Sequence, residues 1–178
     1  MIVAMGMHRD CDRTMARAGR SAGEALWRFS LAFYARPSVA EALITLQDRD
    51  GRDINLILFA LWLAVFGRRL DRAVLAVAET AAAPLRGIVT ELREMRRRLK
   101  SAPAADVQAM RRRILAAELA GERHAQARIA AAAISAVPAG GDRLALAEAN
   151  LALCLGAASS SAEAEALRFA VADFIRRR

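Results

Sequence analysis

The sequence predicts an all-α protein, a single-domain bundle of about seven helices around one buried apolar helix at residues 54–66. Three observations lead there. The stretch Ile54-Asn55-Leu56-Ile57-Leu58-Phe59-Ala60-Leu61-Trp62-Leu63-Ala64-Val65-Phe66 is apolar at all but one position, as suits a helix enclosed on nearly all sides. Of the 178 residues, 43 are Ala, so the 56% hydrophobic content overstates the core volume while favouring helix throughout. No run alternates apolar and polar residues as a half-buried strand must, and no internal repeat is present.

A single domain of this length buries roughly 70% of its unfolded surface and needs neither disulfide nor metal. Cys11 and Cys154 are the two cysteines, read as free thiols in a reducing cytoplasm. The apolar run from Met1 to Met7 is too short for a secretory core or a membrane span, so a cytoplasmic location and no membrane association are expected. Residues 1–20 otherwise lack periodicity and read as a disordered tail or a mis-assigned start. His8, Asp10, Cys11 and Asp12 in that tail fit no closed metal site by spacing.

Residues 21–178 then read as the helical domain: an aromatic-rich core at 21–67, a basic helical hairpin at 70–136, and C-terminal helices over 142–176. Ser21 with Glu24 has the spacing of a capping box and opens a first helix that carries Trp27, Phe29 and Phe33 inward and stops before Pro37. Ser38 with Glu41 is a second such box, opening a helix through Val39, Leu43 and Leu46 to the Asp50-Gly51 turn, where Gly takes the left-handed cap. Asp53 caps the central helix. Its thirteen residues span about 20 Å, short of the roughly 30 Å of a bilayer core. Gly67 ends it, with Arg68 and Arg69 at its negative end.

The next helix runs from Leu70 with Val74, Leu75 and Val77 inward. Pro84 either begins a new helix or kinks a continuous one. Beyond it, Leu85, Ile88, Val89, Leu92, Met95 and Leu99 form an apolar stripe. Ser101-Ala102-Pro103 breaks the chain, and a long helix from 104 to about 136 returns as the second arm of an antiparallel hairpin. After the break at Pro138 to Gly141, Asp142 caps a Leu-rich helix. Ser160 with Glu163 opens a last one, closed by Phe169, Val171 and Phe174.

The segments Leu26-Trp27-Arg28-Phe29-Ser30-Leu31, Tyr34-Ala35-Arg36-Pro37, Leu46-Gln47-Asp48 and Gly51-Arg52-Asp53-Ile54-Asn55-Leu56, with the later Pro84-Leu85-Arg86, resemble a bacterial family of small all-helical cytoplasmic proteins known only as a domain of unknown function. The resemblance is densest from Trp27 to Leu63. It implies no activity, but it raises interest in Gln47, Asp48, Asp53 and Asn55 as a ligand-binding set. Turn and cap chemistry explains the same residues without a ligand.

Metal chemistry is poorly matched. Aligning Gly51 with the glycine of a calcium loop puts Leu46 first and Ile57 last, where carboxylates are needed. Glu122 and His124 are two apart, on opposite sides of a helix, so with Glu118 they make no di-metal motif. No phosphate loop, nucleophile elbow or zinc-spaced cysteine pair is present, and no cofactor is implied.

Charge is uneven. Residues 68–101 hold nine basic side chains against four acidic, while 21–67 hold four against five. Arg86, Arg93, Arg96, Arg97 and Lys100, extended by Arg111, Arg112 and Arg113, form a candidate face for a protein partner or for nucleic-acid backbone. No aromatics are interleaved for base stacking. With no complete catalytic set, the leading expectation is a non-enzymatic protein-interaction module. The alternatives are a nucleic-acid or ribosome-associated protein on the Arg face, and an enzyme or small-molecule binder at the Gln47/Asp48/Asp53/Asn55 turn. A homo-oligomer burying Ala-rich helix surface stays open, without heptads to argue for it.

Overall fold

The side chains of ten consecutive residues, Leu56 to Val65, are buried, a run that a helix achieves only when neighbours cover every side of it. The computed structural model describes residues 21–136, 138–139 and 141–177; the expected tail at 1–20, with its His, Asp and Cys side chains, lies outside them. Among the described residues the chain forms α1 (21–34), α2 (Val39–Asp50), α3 (Ile54–Val65), α4 (Arg72–Arg98), α5 (Ala105–Ala131), α6 (Arg143–Leu155) and α7 (Ala162–Arg176). Short 3₁₀ turns at Ala132–Ser135 and Gly156–Ser160 follow α5 and α6. A lone antiparallel bridge between Arg68 and Pro138 is the only extended pairing among the described residues. The all-α bundle expected from the sequence is therefore what the chain forms, with α3 at its centre.

α6 packs most extensively on α3, and α5 and α2 cover other sides. Each fully buried Leu, Ile or Phe contributes about 1.5–3 kcal/mol relative to exposure, so this one helix holds a large share of the driving force. One polar side chain enters the packing. Asn150 of α6 is fully buried; its Oδ1 accepts the Leu70 amide at 2.8 Å, and its Nδ2 donates to the carbonyls of Ala60 and Arg68, each at 3.1 Å. It thereby fixes α6 to the middle of α3 and satisfies a buried amide in the link to α4.

Several helix ends follow the expected chemistry. Asp53 Oδ1 accepts the Asn55 amide at 2.9 Å, Asp142 caps α6 through the Leu144 amide at 2.9 Å, and Gly51 takes φ +63° after α2. Others differ. Ser21 is already helical and so is not a cap. Ser38, forced to φ +63° directly after Pro37, makes no side-chain cap bond, and the box with Glu41 does not form. Ser161 rather than Ser160 caps α7, because the 3₁₀ turn extends through Ser160. Asp71, not anticipated, caps α4 through the Val74 amide at 2.8 Å. Arg68 serves another helix end than its own, donating to the carbonyls of Ala133 and Ala136 at 3.2 and 2.8 Å.

α4 is continuous through Pro84 and pairs along its length with α5. The register is antiparallel: Val89 meets Gly121, and Arg96, further along α4, meets Glu118, earlier on α5. A Cβ on Gly121 would lie 2.7 Å from Val89 Cγ2, so the glycine permits this close approach. The expected apolar stripe is only partly buried, since the hairpin has one packed side; Val77, Ile88 and Met95 on α4 and Met110 on α5 are exposed. Phe66 and Phe169, expected inside, are also exposed, Phe169 at 74%. α4 contains an 18-residue stretch of mean hydropathy 1.3, long and apolar enough by length and composition to cross a bilayer, and 22% of it is buried.

Replacing Asn150 with Ala strips a buried amide of its acceptor and leaves a small void. Unfolding free energy, measured by urea denaturation, should fall by about 3 kcal/mol; a loss below about 1 kcal/mol would show that Asn150 does not hold α6 to α3.

Candidate ligand-binding cleft

A cleft of about 470 Å³ opens between the α2–α3 turn and one face of α4. From α4 it is lined by Leu75, Glu79, Ala82, Leu85, Arg86, Val89, Thr90, Arg93, Glu94 and Arg97, which recur at three- and four-residue spacing and so share one helix face. Across from them stand Gln47, Asp48, Arg52, Asp53 and Asn55, with Cys154 of α6 also on the wall. All four residues of the ligand-binding set expected from the sequence thus line one cleft, together with three of the eight predicted basic residues.

Local structure explains the placement. Gly51 reverses the chain after α2, and its amide donates to the Gln47 carbonyl at 3.1 Å. Asp53 then opens α3, and its two oxygens divide their work: Oδ1 caps the helix, while Oδ2 accepts Arg86 Nε at 3.0 Å. Asp48 accepts Arg97 through both oxygens, at 3.1 and 2.9 Å. These two pairs bridge the turn to α4; their guanidiniums are about half exposed, so each contributes at most about 1 kcal/mol. Asn55 Oδ1 accepts Gln126 Nε2 at 2.9 Å, and Ser30 Oγ donates to Gln126 Oε1 at 3.1 Å, so a buried polar chain runs from α1 through α5 to the cleft. Gln47 makes no side-chain hydrogen bond with the described residues.

The remaining basic residues divide. Arg93 Nε reaches Glu118 Oε1 at 3.1 Å and its Nη2 reaches Glu122 Oε1 at 2.8 Å, while Arg96 Nε binds Glu118 Oε2 at 2.5 Å. Glu118 is only 4% exposed. Burial opposes its charge, but the hydrogen bonds and charges of Arg96 and Arg93 outweigh that and hold its carboxyl below the ordinary range. Glu122 lies on the other side of the balance: burial pushes its carboxyl up despite Arg93. Lys100, Arg112 and Arg113 are exposed near the free end of the hairpin with no ion pair to a described residue, and Arg111 is half-buried. Four members of the predicted Arg face, Arg86, Arg93, Arg96 and Arg97, are therefore held by carboxylates of this same chain.

Arg52, Glu79, Thr90, Glu94 and Cys154 also line the cleft, and sequence reasoning did not single them out. Only Arg52 left a local signal, its place between Gly51 and Asp53. Burial, with the nearby charges of Glu79 and Asp53, pushes the Cys154 thiol up to about 12, so it is a neutral thiol at neutral pH and not an activated nucleophile. His124 is exposed and is not among the lining residues. No three His, Cys, Asp or Glu side chains among the described residues are placed to hold a metal ion. The cleft offers guanidinium and carboxylate recognition groups beside apolar wall.

Fold and cleft define an all-α bundle with a mixed-charge cleft along one arm of a helical hairpin. A family described as a protein of unknown function (DUF2390) matches residues 25–129, more than half of the chain, and the chain belongs to that family. The matched span includes every lining residue except Cys154. No curated protein and no solved structure matches the chain.

Glu118→Gln leaves Arg93 and Arg96 without their buried counter-charge and should cost about 3 kcal/mol at neutral pH. Because the folded-state pKa of Glu118 is depressed, its contribution is complete above the ordinary Glu value of about 4.3 and is lost as pH falls through the lower folded value. The stability difference between wild type and variant, followed by denaturation from neutral to acid pH, should shrink in that window. A difference constant with pH would contradict the assignment.

Proposed function

We propose that this chain is a non-enzymatic binding protein for a small molecule, which it takes up in the cleft between the α2–α3 turn and α4. The observation behind this is the convergence of Gln47, Asp48, Asp53 and Asn55 with Arg86, Arg93 and Arg97 on one cavity of about 470 Å³, within the roughly 300–1,000 Å³ typical of ligand sites. Paired guanidiniums and carboxylates supply orientation, and the partly exposed Leu75 and Leu85 supply apolar contact. The neutral thiol of Cys154 and the ion pairs that hold Asp48 and Asp53 to α4 support reading the cleft as a binding site.

A protein or nucleic-acid partner is the second reading, favoured by the exposed Met95, Met110, Lys100, Arg112 and Arg113 of the hairpin. It ranks lower because the other half of the predicted basic face is neutralised internally.

Thr90 is exposed on the cleft wall, so Thr90→Trp fills the opening without entering the core. Protein incubated with a small-molecule cell extract, recovered by ultrafiltration and examined by mass spectrometry should retain a compound that Thr90→Trp does not. Equal retention by both forms, or none by wild type, would count against the cleft as a binding site.

A further inference from the structure

We infer that Arg52 is the anion-recognising group of the cleft, and that the ligand is an organic anion with an apolar body, a carboxylate or phosphate head on a hydrocarbon frame; this rests on the cleft being the binding site. Four guanidiniums line the cavity. Arg86 is held by Asp53, Arg97 by Asp48, and Arg93 by Glu118 and Glu122. Arg52 alone of the four has no ion pair and no side-chain hydrogen bond with any described residue, and its Nε is buried without a partner. A half-buried guanidinium loses hydration on folding and is usually compensated by an acceptor.

The nearby carboxylates do not fill that role. Asp50 is hydrogen-bonded by Arg49, which donates to both of its oxygens at 3.0 and 2.9 Å; Arg52 acts on it only through its charge, without a hydrogen bond or ion pair. Asp48 and Asp53 are committed to α4. Glu79 and Glu94 are exposed to solvent, where their repulsion of an incoming anion is screened. A planar guanidinium with unused donors matches a carboxylate or phosphate oxygen pair. The cleft lining carries four basic and four acidic side chains, so electrostatics alone gives little net attraction for an anion. Affinity must therefore come jointly from Arg52 and from apolar contact along Leu75 and Leu85, the partly exposed leucines of the wall, which selects an anion with a hydrocarbon body over a bare inorganic one.

The test is an NMR titration of the ¹⁵N-labelled full chain with sodium octanoate and, separately, with 1-octanol, which keeps the body and removes the charge. Wild type should show saturable shifts at the amides of Arg52, Asn55 and Cys154, with octanoate binding about tenfold more tightly than octanol. Arg52→Gln should bring octanoate to the octanol level and leave octanol unchanged, and Arg52→Lys should restore part of the difference. Equal binding of the two probes by wild type, or an octanoate affinity unmoved in Arg52→Gln, overturns the anion assignment while the cleft remains a ligand site. Shifts at the cleft amides with neither probe overturn both.

Discussion

The burial of α3 is the constraint on which the rest of the structure depends. Leu56 to Val65 cannot be exposed at any angle around the helix, so five other helices must close around it, and their positions follow from that demand. The more polar first turn of α3 escapes enclosure. Asp53, Ile54 and Asn55 are only partly buried, and the cleft opens there, where a rigid helix emerges from the core and meets a polar turn. Because α3 is anchored by its whole length, the two polar side chains at its start are held in place. Asp53 is fixed by the helix it caps, and Asn55 by the chain of hydrogen bonds through Gln126 to Ser30.

The same arrangement decides how charge is distributed. A chain with net charge +8 presents fewer free cations than its composition implies, because the hairpin and the turn neutralise much of their own charge. These pairs differ in weight. Arg93 and Arg96 around nearly buried Glu118 form a network whose disruption leaves an unpaired charge in a low-dielectric place, whereas Asp48 with Arg97 lies in solvent and serves mainly to align the turn with α4. Arg52 sits outside both arrangements, with no ion pair to a described residue.

The parts of the fold legible in the sequence were those fixed by local chemistry. Asp53 and Asp142 each stand directly before an apolar helical run, which made them readable as caps, and a glycine after a helix made Gly51 readable; Asp71 stands in the same relation to α4 and was missed. The Ser38 box carries the same local pattern but fails because the turn after Pro37 sets its backbone at φ +63°, a constraint not visible in the spacing. The ion pairs were hidden for another reason. Arg93 with Arg96 and Glu118 with Glu122 each show helical spacing, but their meeting depends on the register of α4 against α5, which Gly121 and the turn at 99–104 determine. Gln47, Asp48, Asp53 and Asn55 stood out as a group, yet the opposite wall of the cleft, and Cys154 a hundred residues away, came into view only with the tertiary fold.

Hydrogen exchange followed by mass spectrometry tests the role of α3 most directly. The amides of 57–65 should be the slowest in the chain, exchanging with the free energy of global unfolding, while those of 99–104 in the turn at the end of the hairpin exchange through local opening at far lower cost. Exchange in α3 as fast as in that hairpin end would show that the helix is not the fixed centre of the molecule, and would remove the physical basis for a pre-formed cleft at its first turn.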